Sequence, residues 1–206
     1  MATVPQPVPE FYASTRAAWR KWLQANHVKQ ASVWLIIYKK ESSTPSVYYD
    51  EAVEEALCFG WIDSKPNKRD AESFFLFFAR RKPQSKWSAL NKKRVEKLLA
   101  AGLMQPAGQA MIDMAKANGN WTALDAVEAL ELPPDMKKVF AKNKAALKNW
   151  EAFPKSAKRG ILEWIGNAKT DATRTKRITE TVTLAAQNIR ANQWPRNSPS
   201  TGGGQG

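Results

Sequence analysis

The stretch Glu54-Glu55-Ala56-Leu57-Cys58-Phe59-Gly60-Trp61-Ile62-Asp63-Ser64 changes periodicity at its centre, and that change decides how the chain is read. Upstream, Asp50 and Glu51 place negative charge where a helix N-terminus favours it, and Val53, Ala56 and Leu57 supply one apolar face. Gly60 suits the left-handed position just past a helix end, so the helix stops there and residues 61–64 run extended. Trp61 and Asp63 are carried into that short strand.

Outward from this turn, Ser14 is placed to cap a helix reaching Asn26, with Trp19, Trp22 and Leu23 on one face. Residues 32–40 read as a strand with apolar residues at both parities, which predicts cover on both sheet faces. Pro66-Asn67-Lys68 is turn chemistry and 73–80 returns extended, so 61–64 and 73–80 form a hairpin with a loose loop. Ser85 or Ser88 caps a helix over 89–101 ending at Gly102, and Pro106 opens another to Asn118, closed by Gly119. From Leu132-Pro133-Pro134 onward only helical periodicity remains. Met136, Val139 and Phe140 share one face, Ile161, Trp164 and Ile165 a second, and Ile178, Val182, Ala185 and Ile189 a third, with Pro154 as a break.

The expected fold class is therefore α+β: a small N-terminal β-sheet with packed helices, followed by a C-terminal helical module. The expected organisation is a flexible start over 1–10, the α+β domain over 11–125, the helical module over 132–192, and a disordered tail over 193–206. No internal repeat is visible.

Composition narrows the function classes. The 206 residues carry a net charge of +13, unevenly spread, because residues 133–206 hold 14 Lys/Arg against 5 Asp/Glu. Such an excess points to a polyanion or an anionic surface as partner. One cysteine, Cys58, excludes an internal disulfide and fits a reducing compartment. The longest apolar runs are six residues each, 33–38 and 74–79, against the roughly 20 that a membrane span needs. The start Met1-Ala2-Thr3-Val4-Pro5-Gln6-Pro7-Val8-Pro9 has neither basic nor apolar signal character. These features predict a cytoplasmic protein without a membrane span.

Candidate chemistry concentrates after the turn. Asp63 is a candidate acid, base or cation ligand, although pairing with a neighbouring Lys or Arg explains it more simply. Residues 61–100 hold 11 Lys/Arg, interleaved with Trp61, Phe78 and Trp87, which offer charge for phosphate and flat rings for stacking. Arg81, Lys82, Ser85, Trp87, Ser88 and Asn91 converge on a helix N-terminus, where free backbone N–H groups favour an anion. Trp61, Asp63 and Lys65 complete the ligand-binding candidates, and a solvated basic surface is the plainer alternative. Cys58, flanked by Leu57 and Phe59, reads as a small buried hydrophobe rather than a nucleophile. One histidine, His27, and one cysteine match no metal-ligand spacing, and no cofactor motif appears. The helix pair over 89–118 is an ordinary hairpin rather than a DNA reader, since Gln105, Gln109, Asp113 and Lys116 are a poor basic supply. In the helical module Lys169, Arg174, Lys176 and Arg177 form a basic patch without base-reading specificity.

The run Tyr49-Asp50-Glu51-Ala52-Val53-Glu54-Glu55-Ala56-Leu57-Cys58-Phe59-Gly60-Trp61-Ile62-Asp63-Ser64, then Arg81-Lys82-Pro83, Ser85-Lys86-Trp87-Ser88, Asn91 and Gly102-Leu103-Met104, resembles the YdeI/OmpD-associated, or bacteriocin-protection, family. The run Ile165-Gly166-Asn167-Ala168-Lys169-Thr170-Asp171-Ala172-Thr173-Arg174-Thr175-Lys176-Arg177-Ile178 is similar to that family's closing helical signature. Together the two cover the chain from Phe11 to Ile189. Ala172 stands where the family often has Glu, while Arg174 and Arg177 remain. The resemblance implies a bacterial protein linked to envelope stress or tolerance of antibacterial agents, and implies no particular reaction.

Three function classes follow. The leading one is a non-enzymatic protein binding an anionic ligand or protein partner through the region from Asp63 to Asn91. Its rival is a sequence-independent nucleic-acid binder using the C-terminal basic helices, and an enzyme on a small anionic substrate with Asp63 as acid or base comes third.

Overall fold

The computed structural model describes residues 7–193. The expected tail from Trp194 onward and the first six residues lie outside that span. The chain divides between Ala123 and Leu124 into two units.

In the first unit the apolar runs pair as strands. They are β1 (Glu10–Tyr12), β2 (Ser32–Tyr38), β3 (Trp61–Asp63), β4 (Asn67–Lys68) and β5 (Ser73–Arg80), interspersed with helices α1 (Arg16–Asn26), α2 (Tyr49–Cys58), α3 (Ala89–Ala100) and α4 (Pro106–Ala117). The sheet order is β1-β2-β5-β3, with β4 also on β5. β1 runs parallel to β2 and the other pairs are antiparallel. Glu10, expected in a flexible start, is instead the first residue of β1, opposite Trp34. Three residues preceded by a proline-rich run carry too little periodicity to announce a strand.

The register Val33↔Phe78, Leu35↔Leu76 puts these four side chains on one face. They join Trp19 and Leu23 of α1, Val53 and Leu57 of α2, Leu98 of α3 and Ile112 of α4 in one core. The opposite face, expected to be covered as well, stands outside that core: Trp34, Phe75 and Phe77 are partly exposed. Those rings pack on one another, with Trp34–Phe77 centroids 4.8 Å apart and Trp34–Phe75 5.8 Å apart. Aromatic–aromatic contact across strands thus takes the place of a second helical layer.

Local chemistry fixes the connections. Thr15, not Ser14, caps α1, its hydroxyl accepting from Ala18 N–H at 3.1 Å. The loop into β5 is not loose: Asp70 Oδ1 accepts from Ser73 N–H at 2.7 Å and Glu72 N–H at 2.9 Å. Gly60 has φ +72°, and a Cβ there would stand 2.9 Å from Ala107 O. The helix stop therefore also sets how closely α4 approaches α2.

The second unit is helical: α5 (Asp125–Glu128), α6 (Pro134–Ala141), α7 (Lys144–Ala152), α8 (Lys155–Gly166) and α9 (Asp171–Ala186). Its core gathers Met136, Phe140, Trp150, Ile161, Ile165, Ile178, Val182 and Ala185. Ile189 does not belong to the α9 face. Asn188 adopts φ 57°, the helix ends before it, and Ile189 is left exposed. No described helix is long and apolar enough to cross a membrane.

Candidate functional site

The end of β2 and the start of α2 frame a cleft of about 580 Å³ in the first unit. Lys39 and Lys40 follow the last residue of β2, while Val47 is buried and anchors the chain before α2. The next two residues, Tyr48 and Tyr49, are exposed and line the cleft with Phe74. Glu51 turns back to accept from Tyr48 N–H at 3.1 Å, which satisfies one of the orphan donors of the helix start.

Electrostatics leave the cleft cationic. Arg94 of α3 donates to Asp50 and, at 3.0 Å, to Asn91 Oδ1. Glu51 is occupied with its own helix. Lys40 Nζ lies 5.7 Å from the Tyr48 ring, a cation–π distance. Lys39 Nζ donates to Ala71 O at 2.6 Å. Tyr49 donates its hydroxyl to Asp63 Oδ2 at 2.7 Å. Burial, reinforced by that carboxylate, pushes the Tyr49 phenol up to about 12, so it stays a neutral donor near pH 7.

The residues nominated from sequence are only partly brought together. Trp61 and Trp87 are buried and Phe78 is fully buried, so none offers a ring to a ligand. The Trp61 indole N–H donates to His27 O at 3.3 Å. Ser88 caps α3 itself, accepting from Asn91 N–H at 3.3 Å, so one N–H of the helix start expected to hold an anion is taken by the cap. Ser85 sits in a turn whose N–H bonds Lys82 O at 2.9 Å, and Lys65 and Lys82 are exposed.

Arg81 is the exception to ordinary surface placement. It is 5% exposed, lies with its guanidinium carbon 3.7 Å from the Trp87 ring centroid, and donates from Nη2 to Lys86 O at 2.6 Å. Its Nε and Nη1 have no partner. Burial brings its pKa down to about 10, opposed only by the charge of Asp63. A line of groups thus runs from the cleft inward: Tyr49, Asp63, Arg81, Trp87.

The remaining acids of the opening stretch are structural. Glu55 accepts from both Arg16 and Arg20 at 2.6 Å, and Glu54 from Arg16 at 2.9 Å and Lys97 at 2.8 Å. Cys58 is buried, and burial followed by the Glu55 charge pushes its thiol pKa up, the opposite of activation. Among the described residues no group of three or more His, Cys, Asp or Glu could hold a metal ion.

In the second unit Arg174 makes two bonds to Asp135, at 2.6 and 3.0 Å, and Arg177 donates to Trp164 O and covers the Trp164 ring at 4.9 Å. Half of the expected basic patch is therefore committed to packing, while Lys169 and Lys176 remain exposed.

Sequence reasoning missed the cleft. Its signal was the adjacent Tyr48-Tyr49 pair at a helix start, where apolar rings have no core to enter, facing the Lys39-Lys40 pair at a strand end.

Two families match the chain in separate segments. Residues 11–111 match a domain of unknown function (DUF8412), and residues 129–188 match the family described as Bacteriocin-protection, YdeI or OmpD-Associated. No curated protein and no solved structure matches the chain. The resemblance read from sequence thus holds over the C-terminal part. The Tyr49 to Met104 residues that also suggested it fall within the other family's segment. The pattern around Gly60 is a packing requirement against α4 and is not diagnostic by itself. The chain therefore joins an N-terminal segment that matches one family to a C-terminal segment, residues 129–188, that matches the bacteriocin-protection, YdeI or OmpD-associated family.

Proposed function

We propose that the N-terminal unit binds a small molecule with an anionic head and an apolar or aromatic body in the Lys39–Lys40/Tyr48–Tyr49 cleft. In a chain with a bacteriocin-protection type domain, such binding would serve tolerance of an antibacterial agent or of the stress it causes, in the cytoplasm. The observation that carries this reading is the composition of one concave wall: two ammonium groups, two tyrosine rings and Phe74, with Asp50 paired to Arg94 and Glu51 turned back on the start of its own helix. Pockets of this volume with few polar groups suit small ligands.

Binding is favoured over turnover because the nearby acids are engaged. Asp63 accepts from Tyr49, and Glu54 and Glu55 hold arginine and lysine. Asp63 therefore acts on the ligand through the Tyr49 ring, which it holds in place as the cleft wall. The site is displaced from the 63–91 region toward the start of α2, and Asp63 is the residue the two share.

Thermal-shift and calorimetric titration with aromatic carboxylates, aromatic phosphates and nucleotides tests the reading. A ligand present at about 100 times its Kd stabilises by roughly 2.7 kcal/mol, a shift readily measured. Stabilisation that disappears in Lys40→Gln and Tyr48→Ala, with unliganded stability unchanged, is the expected result. Absence of stabilisation by every anion tried would overturn it.

A further inference from the structure

Around the turn at Gly60, the end of α1, the end of β5 and the first turns of α4 frame a second pocket, of about 200 Å³. It shares no residue with the cleft at the start of α2. Its polar side chains are His27, Arg80 and Arg81, and Phe59, Ala107 and Met111 give it an apolar wall. Among the described residues no acid lines it. A concave site with cationic groups, no carboxylate and an apolar wall is matched to a small anion that carries some carbon.

Arg81 connects this pocket to an unmet need in the interior. Its backbone N–H donates to Gly60 O at 2.9 Å, which fixes the residue at the pocket wall. Its guanidinium lies over the Trp87 ring, and only Nη2 has an acceptor, Lys86 O. Nε and Nη1 of Arg81 and the Trp87 indole N–H are buried without a partner. All three are donors. What is missing beside them is an acceptor, so a cation is excluded as occupant. A water would satisfy a donor and leave the buried charge uncompensated, whereas an anion supplies both. The acid whose charge reaches Arg81 is Asp63, which already accepts from Tyr49 and forms no ion pair with Arg81.

We propose that this pocket binds a small carboxylate with a short carbon chain, and that Arg81 is its anion-binding residue. The volume is roughly six to seven times the ~30 Å³ that a water occupies in the liquid, room for a few carbon atoms and too little for a nucleotide. The carboxylate lies between Arg80 and Arg81, and the chain lies on Phe59, Ala107 and Met111. Solvent does not reach the unpaired nitrogens, so the anion meets them by drawing the guanidinium partly off the Trp87 ring. Binding thus exchanges a cation–π contact for charge-assisted hydrogen bonds. The inference does not depend on the cleft at the start of α2.

Titration of the full chain with acetate, butyrate and inorganic phosphate at constant ionic strength tests it, followed by NMR of the arginine Nε–H and tryptophan indole N–H signals. The Trp87 indole signal is identified by its absence in Trp87→Phe. Saturable shifts of that signal and of Arg81 Nε–H are expected, with affinity rising about four-fold for each CH₂ added between acetate and butyrate. Arg81→Met is expected to weaken butyrate binding about ten-fold or more. Lys142→Gln, which removes the same charge from an exposed position in the second unit, is expected to leave it unchanged. Should melting curves show that Arg81→Met does not fold, Ala107→Leu, which fills the pocket from α4 and keeps the arginine, is expected to abolish binding. Four results would overturn the proposal: no saturable shift with butyrate, phosphate bound more tightly than butyrate, equal losses in Arg81→Met and Lys142→Gln, or unchanged binding in Ala107→Leu.

Discussion

Tyr49 and Asp63, 14 residues apart, close the space between α2 and β3 with a hydrogen bond of 2.7 Å. The phenol is held neutral by burial first and by the carboxylate second, with its pKa pushed up to about 12. Because the folded state binds this proton more tightly than the unfolded chain, whose tyrosine titrates near 10, the contribution is complete below about pH 10 and is lost as pH rises toward 12. Tyr49→Phe is expected to flatten the alkaline limb of the stability curve over that window. Urea unfolding at several pH values checks it; an unchanged limb would mean the phenol ionises freely. At neutral pH the same variant is expected to cost about 1 kcal/mol.

Glu54 and Glu55 bind α2 to α1 and α3 through Arg16, Arg20 and Lys97. Burial opposes ionisation of Glu54, but the Lys97 and Arg16 bonds prevail and hold its carboxyl below the usual range. A depressed carboxyl contributes stability at neutral pH that is lost as pH falls through its folded pKa, so acid should loosen this helix junction as Glu54 is protonated. Glu55→Ala leaves two arginines facing a buried gap and is expected to cost about 3 kcal/mol. Arg16→Ala should cost less, because Arg20 and Lys97 still hold the two acids. Denaturant midpoints of the two variants decide the order.

Arg174 and Asp135 tie α9 to α6, and the arginine bonds are the leading cause that holds the Asp135 carboxyl below its usual value. Both side chains are partly exposed, at 30% and 47%, so the pair is worth about 1 kcal/mol at most. Arg174→Ala should therefore lower the melting temperature of the protein only slightly. Nucleic-acid binding at low salt that this variant abolishes would return the C-terminal helices to the role that their charge first suggested.

The helix–glycine–strand turn was legible because capping, charge placement and apolar spacing all agree there, and the same agreement exposed α3, α4 and the helical module. The site was less legible for a physical reason. Sequence shows that Trp61, Phe78, Trp87 and several basic residues are close along the chain, but alternation in a strand sends Phe78 inward and its neighbour Phe77 outward. Arg81 lies just past the end of β5, where no periodicity speaks to its burial, and Ser88 was claimed by its own helix. Among the rings that remain at least partly exposed, Tyr49, Trp34, Phe75 and Phe77 meet partners from elements distant in sequence.

Three glycines separate conformation from crowding. Gly102 has φ +66° and open space where a Cβ would stand, so Gly102→Ala should cost about 1 kcal/mol from backbone strain alone. Gly60 combines φ +72° with the approach of Ala107 O, and Gly60→Ala should cost more. Gly108 has an ordinary helical φ, but a Cβ there would stand 2.3 Å from Cys58 O and 2.6 Å from Leu57 O. Gly108→Ala must therefore drive α4 off the end of α2, and it is expected to be the most damaging of the three in thermal melts. Gly102→Ala as the worst of the set would show that backbone strain outweighs helix approach.

Arg81 offers a sharper test of what a buried charge is for. The contacts that favour it are one bond to Lys86 O and the Trp87 ring, and two of its nitrogens are unsatisfied. Taking a guanidinium out of water costs several kcal/mol after relaxation, and a single hydrogen bond with a cation–π contact offsets only part of that. Arg81→Met, which keeps the length and the contact with Trp87, is therefore expected to leave stability unchanged or raise it. The contrast with Glu55→Ala, also buried but fully paired, is the discriminating comparison. A strong loss on Arg81→Met would mean that the charge of Asp63 contributes more than geometry alone indicates. The double variant with Asp63→Asn would then recover part of the loss, because Asp63 would no longer be left without its countercharge.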